Sequence, residues 1–208
     1  MSKQKSKKTK VLAVGDFHGD TRFAEKMAKI AKDKNVDLVI LTGDHTFAES
    51  SIDGLIGPFA KNKKPVLIIP GNHESASTNS MMAEIYAPYA KNLHGYYFTK
   101  NNLGIFGAGT ANMGIHNITD PEIFKLLKRS HNKIKDIKKK IMVTHIHPKN
   151  TKFEFSGWSG SNAVRKAIVE FQPDIAICSH IHEAAGLEDK IGKTKIINVA
   201  RKEKIFEI

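Results

Sequence analysis

Cysteine is all but missing from this chain: Cys178 is the single thiol in 208 residues, which excludes a disulfide framework. It closes the apolar run Ile175-Ala176-Ile177-Cys178 and reads as a small buried hydrophobe rather than a nucleophile, in keeping with a reducing compartment. No apolar stretch approaches the ~20 residues of a membrane span. The N-terminus is basic but has no apolar segment of the kind a signal peptide carries, so the expected location is cytoplasmic, with no membrane partner. Arginine is scarce as well, with only Arg22, Arg129, Arg165 and Arg201 among 33 basic residues. Bidentate recognition of phosphate relies on arginine's planar fork, and no arginine cluster suited to clamping a dianionic monoester is evident.

Lysine is what the chain has in abundance, and it carries most of the net charge of +12. Five lysines (Lys3, Lys5, Lys7, Lys8, Lys10) fall in the first ten residues, which leaves about +7 for the remainder. Residues 1–9 are too polar to bury themselves and are expected to form a disordered basic tail. Residues 10–208 are expected to form one domain, since layered folds commonly run to about 200–250 residues. The positive field favours an anionic substrate and leaves nucleic acid open as a partner.

The informative pattern is a repeated one. Five apolar runs are each followed directly by side chains that bind metals: Val11–Val14 by Asp16-Phe17-His18, Leu38–Leu41 by Gly43-Asp44, Val66–Ile69 by Gly71-Asn72-His73-Glu74, Ile141–Val143 by His145, and Ile175–Ile177 by His180-Ile181-His182. Fully apolar runs are expected of strands covered on both faces. In open α/β sheets ligands bind in the crevice beyond the carboxyl ends of the strands. The spacing therefore predicts that Asp16, His18, Asp44, Asn72, His73, His145, His180 and His182 meet.

Carboxylate and amide oxygens mixed with imidazoles suit Mn, Fe, Zn, Co or Ni rather than Ca or Mg alone. Eight donors are too many for one ion. With four ligands apiece and one shared, seven groups would bind two metals and leave His73 over as a non-ligand. The shared ligand should be a carboxylate, because a carboxylate has two anionic oxygens. A two-metal site of this kind suits in-line displacement at phosphorus.

Between the ligand runs, helices are expected over Arg22–Asp33, with Asp20 or Thr21 as cap, and over Asn79–Ala90, with Met81, Met82, Ile85 and Tyr89 filling the core. Two more are expected, one from an Asp120 cap with Pro121 at the first position and one from Ser161 to Phe171. Residues 50–60 make a short covering helix at best. Gly95–Thr99 and Leu103–Gly107 read as a hairpin, and the loop Ala108–Thr119, with Asn112 and His116, as solvated decoration. The end of the chain reads as a β-meander through Leu187, Thr194–Val199 and Lys204–Ile208. The loop Lys149–Ser161 holds the sole tryptophan, Trp158. It is either a substrate-facing residue or an anchor packed beneath the loop, and the anchor is the expected role.

The order D-x-H, G-D, G-N-H-E, T-H, H-x-H resembles the calcineurin-like metallophosphoesterases over about residues 10–200. The one departure is Ser179, where the commonest family pattern has glycine before H-x-H. The resemblance implies an α/β four-layer sandwich, two mixed β-sheets packed face to face and flanked by helices. It implies that Asp16, His18, Asp44 and His182 bind one ion and that Asp44, Asn72, His145 and His180 bind the other, with Mn the first choice of metal. A hydroxide held by the metals would attack phosphorus while His73 stabilises charge or protonates the leaving oxygen. His147 is expected on the rim against substrate, His45 behind the ligands or on the rim, and Glu74 as a partner fixing an imidazole's tautomer. The expected activity is hydrolysis of a phosphodiester. The alternatives are a nuclease and a non-catalytic protein-binding scaffold, which loss of ligands would mark; none is lost.

Overall fold

The computed structural model describes residues 8–208, so the expected basic tail lies outside the described residues except for its last two positions. Thr9 is not part of a free tail. Its N–H donates to the Ile208 carbonyl (3.0 Å) and its carbonyl accepts from the Ile208 N–H (3.2 Å), extending a strand pairing.

Two sheets lie face to face. In the first, β1 (Lys10–Val14), β2 (Leu38–Leu41), β3 (Val66–Ile68) and β4 (Ala90–Asn92) run parallel, and β11 (Lys204–Glu207) pairs antiparallel with β1 at the edge. In the second, β6 (Leu103–Ala108), β7 (Lys139–Thr144), β8 (Ile175–Cys178) and β10 (Thr194–Asn198) are parallel. They are flanked by antiparallel β5 (Tyr97–Lys100) and β9 (Glu188–Ile191).

Period-two alternation sends each strand's residues into two different cores. Val11, Ala13, Leu38, Ile40, Leu67 and Ile69 point between the sheets and meet Ile105, Ile141, Val143, Ile177 and Ile197 from the second sheet. Leu12, Val14, Val39 and Leu41 point outwards, under the covering helices α1 (Thr21–Asp33), α2 (Gly57–Ala60) and α3 (Ala76–Ile85). On the far side, α4 (Asp120–Asn132) and α5 (Asn162–Phe171) cover Phe106, Met142, Ala176 and Ile196. The four-layer sandwich is therefore the observed fold.

Several local expectations shift. Helix α1 is capped by Asp20, whose carboxylate accepts from the Phe23 N–H. Helix α4 is capped by Thr119, not Asp120, because Thr119 and Glu122 satisfy each other's backbone N–H groups in a capping box. Asp120 is freed to accept from the Ser161 hydroxyl and the Asn162 N–H across the α4–α5 contact. Helix α3 starts early, at a Ser75 cap, and stops at Ile85, leaving Ala90 to become strand β4. Of its apolar residues Met82 is buried, whereas Met81 and Ile85 are exposed. The C-terminal strands do not form a meander, because β9 and β10 pair in the second sheet while β11 crosses to the first.

Cys178 is buried and unpaired, and burial pushes its thiol far above the ordinary range. Among the described residues no helix is long and apolar enough to cross a membrane.

Candidate metal centre

Every donor group singled out in the sequence lies just past the end of a parallel strand, and the turns that carry them are tied to one another. The loop after β1 hydrogen-bonds along the loop after β2, through Asp16 N–H to Gly43 carbonyl and His18 N–H to Asp44 carbonyl, both 2.9 Å. Gly43, at φ 94°, packs on the backbone of Gly71, and a Cβ at Gly71 would overlap the Asp44 carboxylate. Only glycine at these two positions lets the second and third ligand loops touch. Asp16, His18, Asp44 and His180 themselves hold φ of 61°, 48°, 50° and 70°. Left-handed backbone at a non-glycine residue costs on the order of 1 kcal/mol or more, and such strain gathers at functional sites.

Three overlapping groups of donors result, each with its ligand atoms within 4.8 Å of one another: Asp16, His18 and His182; His18, Asp44 and His73; Asp44, His145 and His180. Asn72 joins the last, its Oδ1 3.0 Å from His145 Nε2. Asp44 stands between them, but not with one oxygen for each side. Its Oδ2 lies 3.7 Å from His18 Nε2 and 3.4 Å from His145 Nε2. Its Oδ1 instead accepts the His73 backbone N–H at 2.9 Å. The bridge expected from two carboxylate oxygens is presented by one.

The residues fit a pair of cations. His145 Nδ1 is 2.8 Å from the Thr42 carbonyl, which can only accept, so Nδ1 carries a proton and Nε2 is the nitrogen that faces the site. Burial opposes a charge on His145, but Asp44 outweighs it and raises the imidazole to about 9, so a bound cation would take the place of an Nε2 proton there. Buried Ser179 supports the same arrangement, with Oγ donating to the Thr42 carbonyl (2.9 Å) and lying 3.1 Å from His145 Nδ1. Donor nitrogens then face each other closely: His145 Nε2 to His180 Nδ1 at 3.2 Å and His18 Nε2 to His182 Nε2 at 3.1 Å. Two imidazole nitrogens sustain that approach only with a proton or cation between them. Burial pushes His180 down to about 3 and lowers His18, which favours the neutral, ligand-competent form of both. Burial opposes ionisation of Asp44, but the neighbouring His145 outweighs it and holds the carboxyl well below its usual range.

Other expectations are corrected. His147 is not on the rim; it is fully buried, its ring set edge-on to Phe153, with no hydrogen-bond partner on either ring nitrogen among the described residues. The turn after β7 sends it under the following loop. Glu74 fixes no imidazole. Its Oε1 accepts from Gly71 N–H (2.7 Å) and its Oε2 from Thr46 N–H (3.2 Å), so it shapes the ligand loops instead. His45 takes one of its two expected places, buried behind the site, with Nε2 donating to the Ile69 carbonyl at 3.0 Å.

Trp158 is not the anchor of its loop. It is 53% exposed, and the buried side chain there is Phe153. Phe153→Ala is accordingly expected to lower stability by about 3–5 kcal/mol, whereas Trp158→Ala changes it by about 0.5 kcal/mol or less. Chemical denaturation of the two variants checks both.

The crevice over the donors has a volume of about 500 Å³. Its walls include Met113 and Gly114, so the loop expected to be decoration reaches the site. It is tied there by His116 N–H donating to the Asn72 carbonyl (3.0 Å). Among the described residues no lysine or arginine lines the crevice. Met113, Gly114 and the exposed Phe47, whose ring centroid is 5.2 Å from that of His73, had no signal in the sequence.

A sandwich whose strand ends gather carboxylate, amide and imidazole donors around one shared aspartate defines a metal-centred phosphoesterase architecture. The chain matches the calcineurin-like phosphoesterase family over residues 9–184 and belongs to it. The family depends on two metal ions, and the donor clusters here are candidates to hold them. Among solved structures it is similar to the TT1561 protein of Thermus thermophilus, at 17% identity and TM-score 0.76 over 96% of this chain and 99% of that one. It is also similar to an archaeal phosphodiesterase, at 14% identity and TM-score 0.56 over 96% and 99%. A third likeness is to a dimetal phosphatase from Danio rerio, at 10% identity and TM-score 0.61 over 91% and 86%. At these identities the likeness is one of fold. No curated protein matches the sequence.

Proposed function

We propose that this protein hydrolyses a phosphodiester at a pair of divalent metal ions, manganese the first choice. Asp16, His18, Asp44 and His182 would hold one ion and Asp44, Asn72, His145 and His180 the other. The observation that carries the reading is the Asp44 Oδ2, which faces His18 on one side and His145 on the other. The ions would supply Lewis acidity and activate water as the nucleophile. His73, on the crevice wall beside this centre, is the group available to give a proton to the leaving oxygen.

The preference for a diester rests on what surrounds the donors. Apart from the two ions, a dianionic monoester would meet no lysine or arginine in the crevice among the described residues and would face the carboxylate of Glu183. A diester brings one negative charge and a second substituent, which the apolar Met113 and Ile181 can accept. The same lack of cationic lining argues against a nuclease that grips a long polyanion. The presence of every donor argues against a non-catalytic scaffold.

The test is turnover of purified protein on monoesters, linear diesters, cyclic nucleotides and single-stranded nucleic acid, with each divalent metal in turn. Diesters are expected to lead by kcat/KM. A monoester in first place would overturn the diester assignment, and no turnover with any metal would favour the scaffold.

A further inference from the structure

The loop Lys149–Ser161 is held firmly without help from its tryptophan. Its two ends pair, Lys149 N–H to Ser161 carbonyl at 3.0 Å and Ser161 N–H to His147 carbonyl at 2.9 Å. Arg165 ties down the carbonyls of Lys149 and Asn150 at 3.0 and 3.2 Å. Lys152–Ser156 forms a short 3₁₀ helix with Phe153 buried beneath it. Glu154 then reaches forward to accept the Gly160 N–H at 2.8 Å, so the segment carrying Trp158 is closed at both sides. Gly160 itself sits so close to the His147 and Pro148 backbone that a side chain there would collide.

On this fastened loop Trp158 stands half-exposed on the crevice wall that also contains His180 and His182. A large aromatic left in water gives up burial that its neighbours obtain, and the loop already has its anchor. Apolar Met113 and Ile181 share the crevice with it, and among the described residues no lysine or arginine does. We infer that Trp158 is a specificity-determining platform on which the base of a nucleotide ester stacks while its phosphate lies over the Asp44-centred donors. Stacking on an indole suits every base, because each presents a π face. The inference rests on reading the crevice as a phosphodiester site, and it names the chemical class of that diester's second substituent: a nucleoside, free or at the end of a strand.

Two esters with the same leaving group isolate the effect: the p-nitrophenyl ester of thymidine 5′-monophosphate and methyl p-nitrophenyl phosphate. Wild type should prefer the nucleoside ester, and the ratio of the two kcat/KM values should fall roughly 5- to 150-fold in Trp158→Ala, the range expected for one stacked base. Trp158→Phe should restore much of the ratio. Because Trp158 is the sole tryptophan, its fluorescence reports binding without turnover. Thymidine 5′-monophosphate should quench it saturably, and thymidine should compete weakly. Quenching by the mononucleotide marks a free nucleotide as the source, and quenching by oligothymidylate alone marks a strand end. An unchanged ratio in Trp158→Ala together with no quenching by either ligand overturns the inference. Quenching without hydrolysis of any ester would sink the hydrolytic reading and leave the base platform standing.

Discussion

Asp44→Asn is expected to lower hydrolysis by about 10³-fold or more and to strip the protein of metal. The loss corresponds to the several kcal/mol that a correctly charged metal centre contributes to the transition state. The reason is local. Asp44 Oδ1 is already committed to the His73 N–H at 2.9 Å, so an asparagine keeps its carbonyl oxygen there and turns its NH₂ to where Oδ2 now faces His18 and His145. An amide nitrogen so placed has no lone pair for a cation. The His73 hydrogen bond survives, so the fold should survive with it. Metal analysis after gel filtration and circular dichroism check the two halves, and two tightly held ions per chain with near-normal turnover would remove Asp44 from the bridging position.

How far this site was legible in the sequence depends on what each residue answers to. The donors could be pooled because each follows a run that must be a buried strand, and parallel strands deliver their ends to one side of a sheet. That argument needs no knowledge of which strands are neighbours. The partners of a strand are a different matter. Lys204–Glu207 alternates equally well in either sheet, and only the space beside β1, with Thr9 and Ile208 extending the pair, decides that β11 crosses over. The caps Asp20 and Ser161 stand where the sequence placed them, whereas at α4 Thr119 takes the cap from Asp120 because its partner Glu122 completes a capping box.

Burial was least legible in loops. His147 and Trp158 both sit near the ligand strand's end, and nothing in their spacing says that the histidine turns inwards and the tryptophan outwards. Gly160 packs closely on the His147 and Pro148 backbone, a contact 12 or 13 residues apart in the chain that local spacing does not announce. The roles of Glu74 and of Asp44 Oδ1 were hidden for a similar reason. Each carboxylate spends oxygens on backbone N–H groups that are invisible in a string of side chains.

His73→Asn is expected to keep both metal ions yet lose roughly 10²–10⁴-fold in rate if His73 protonates the leaving oxygen. Geometry leaves a second role possible on distance alone, since His73 shares a 4.8 Å cluster with His18 and Asp44. Two features separate them. His73 is held to Asp44 by its main chain, not its ring, so replacing the side chain leaves that contact in place. Its ring stands edge-on to His18 at 4.7 Å between centroids and lies 5.2 Å from that of Phe47, on the wall of the crevice. A proton donor matters in proportion to the basicity of the oxygen it protonates. The rate loss should therefore be large for a diester with an alkyl alcohol leaving group and should shrink towards unity for p-nitrophenolate, which departs without protonation. Paired measurements of kcat on those two leaving groups, with metal content of the same preparation, decide the matter: a loss of metal comparable to that in Asp44→Asn would make His73 a ligand, and an equal loss of rate on both substrates would deny it the proton transfer.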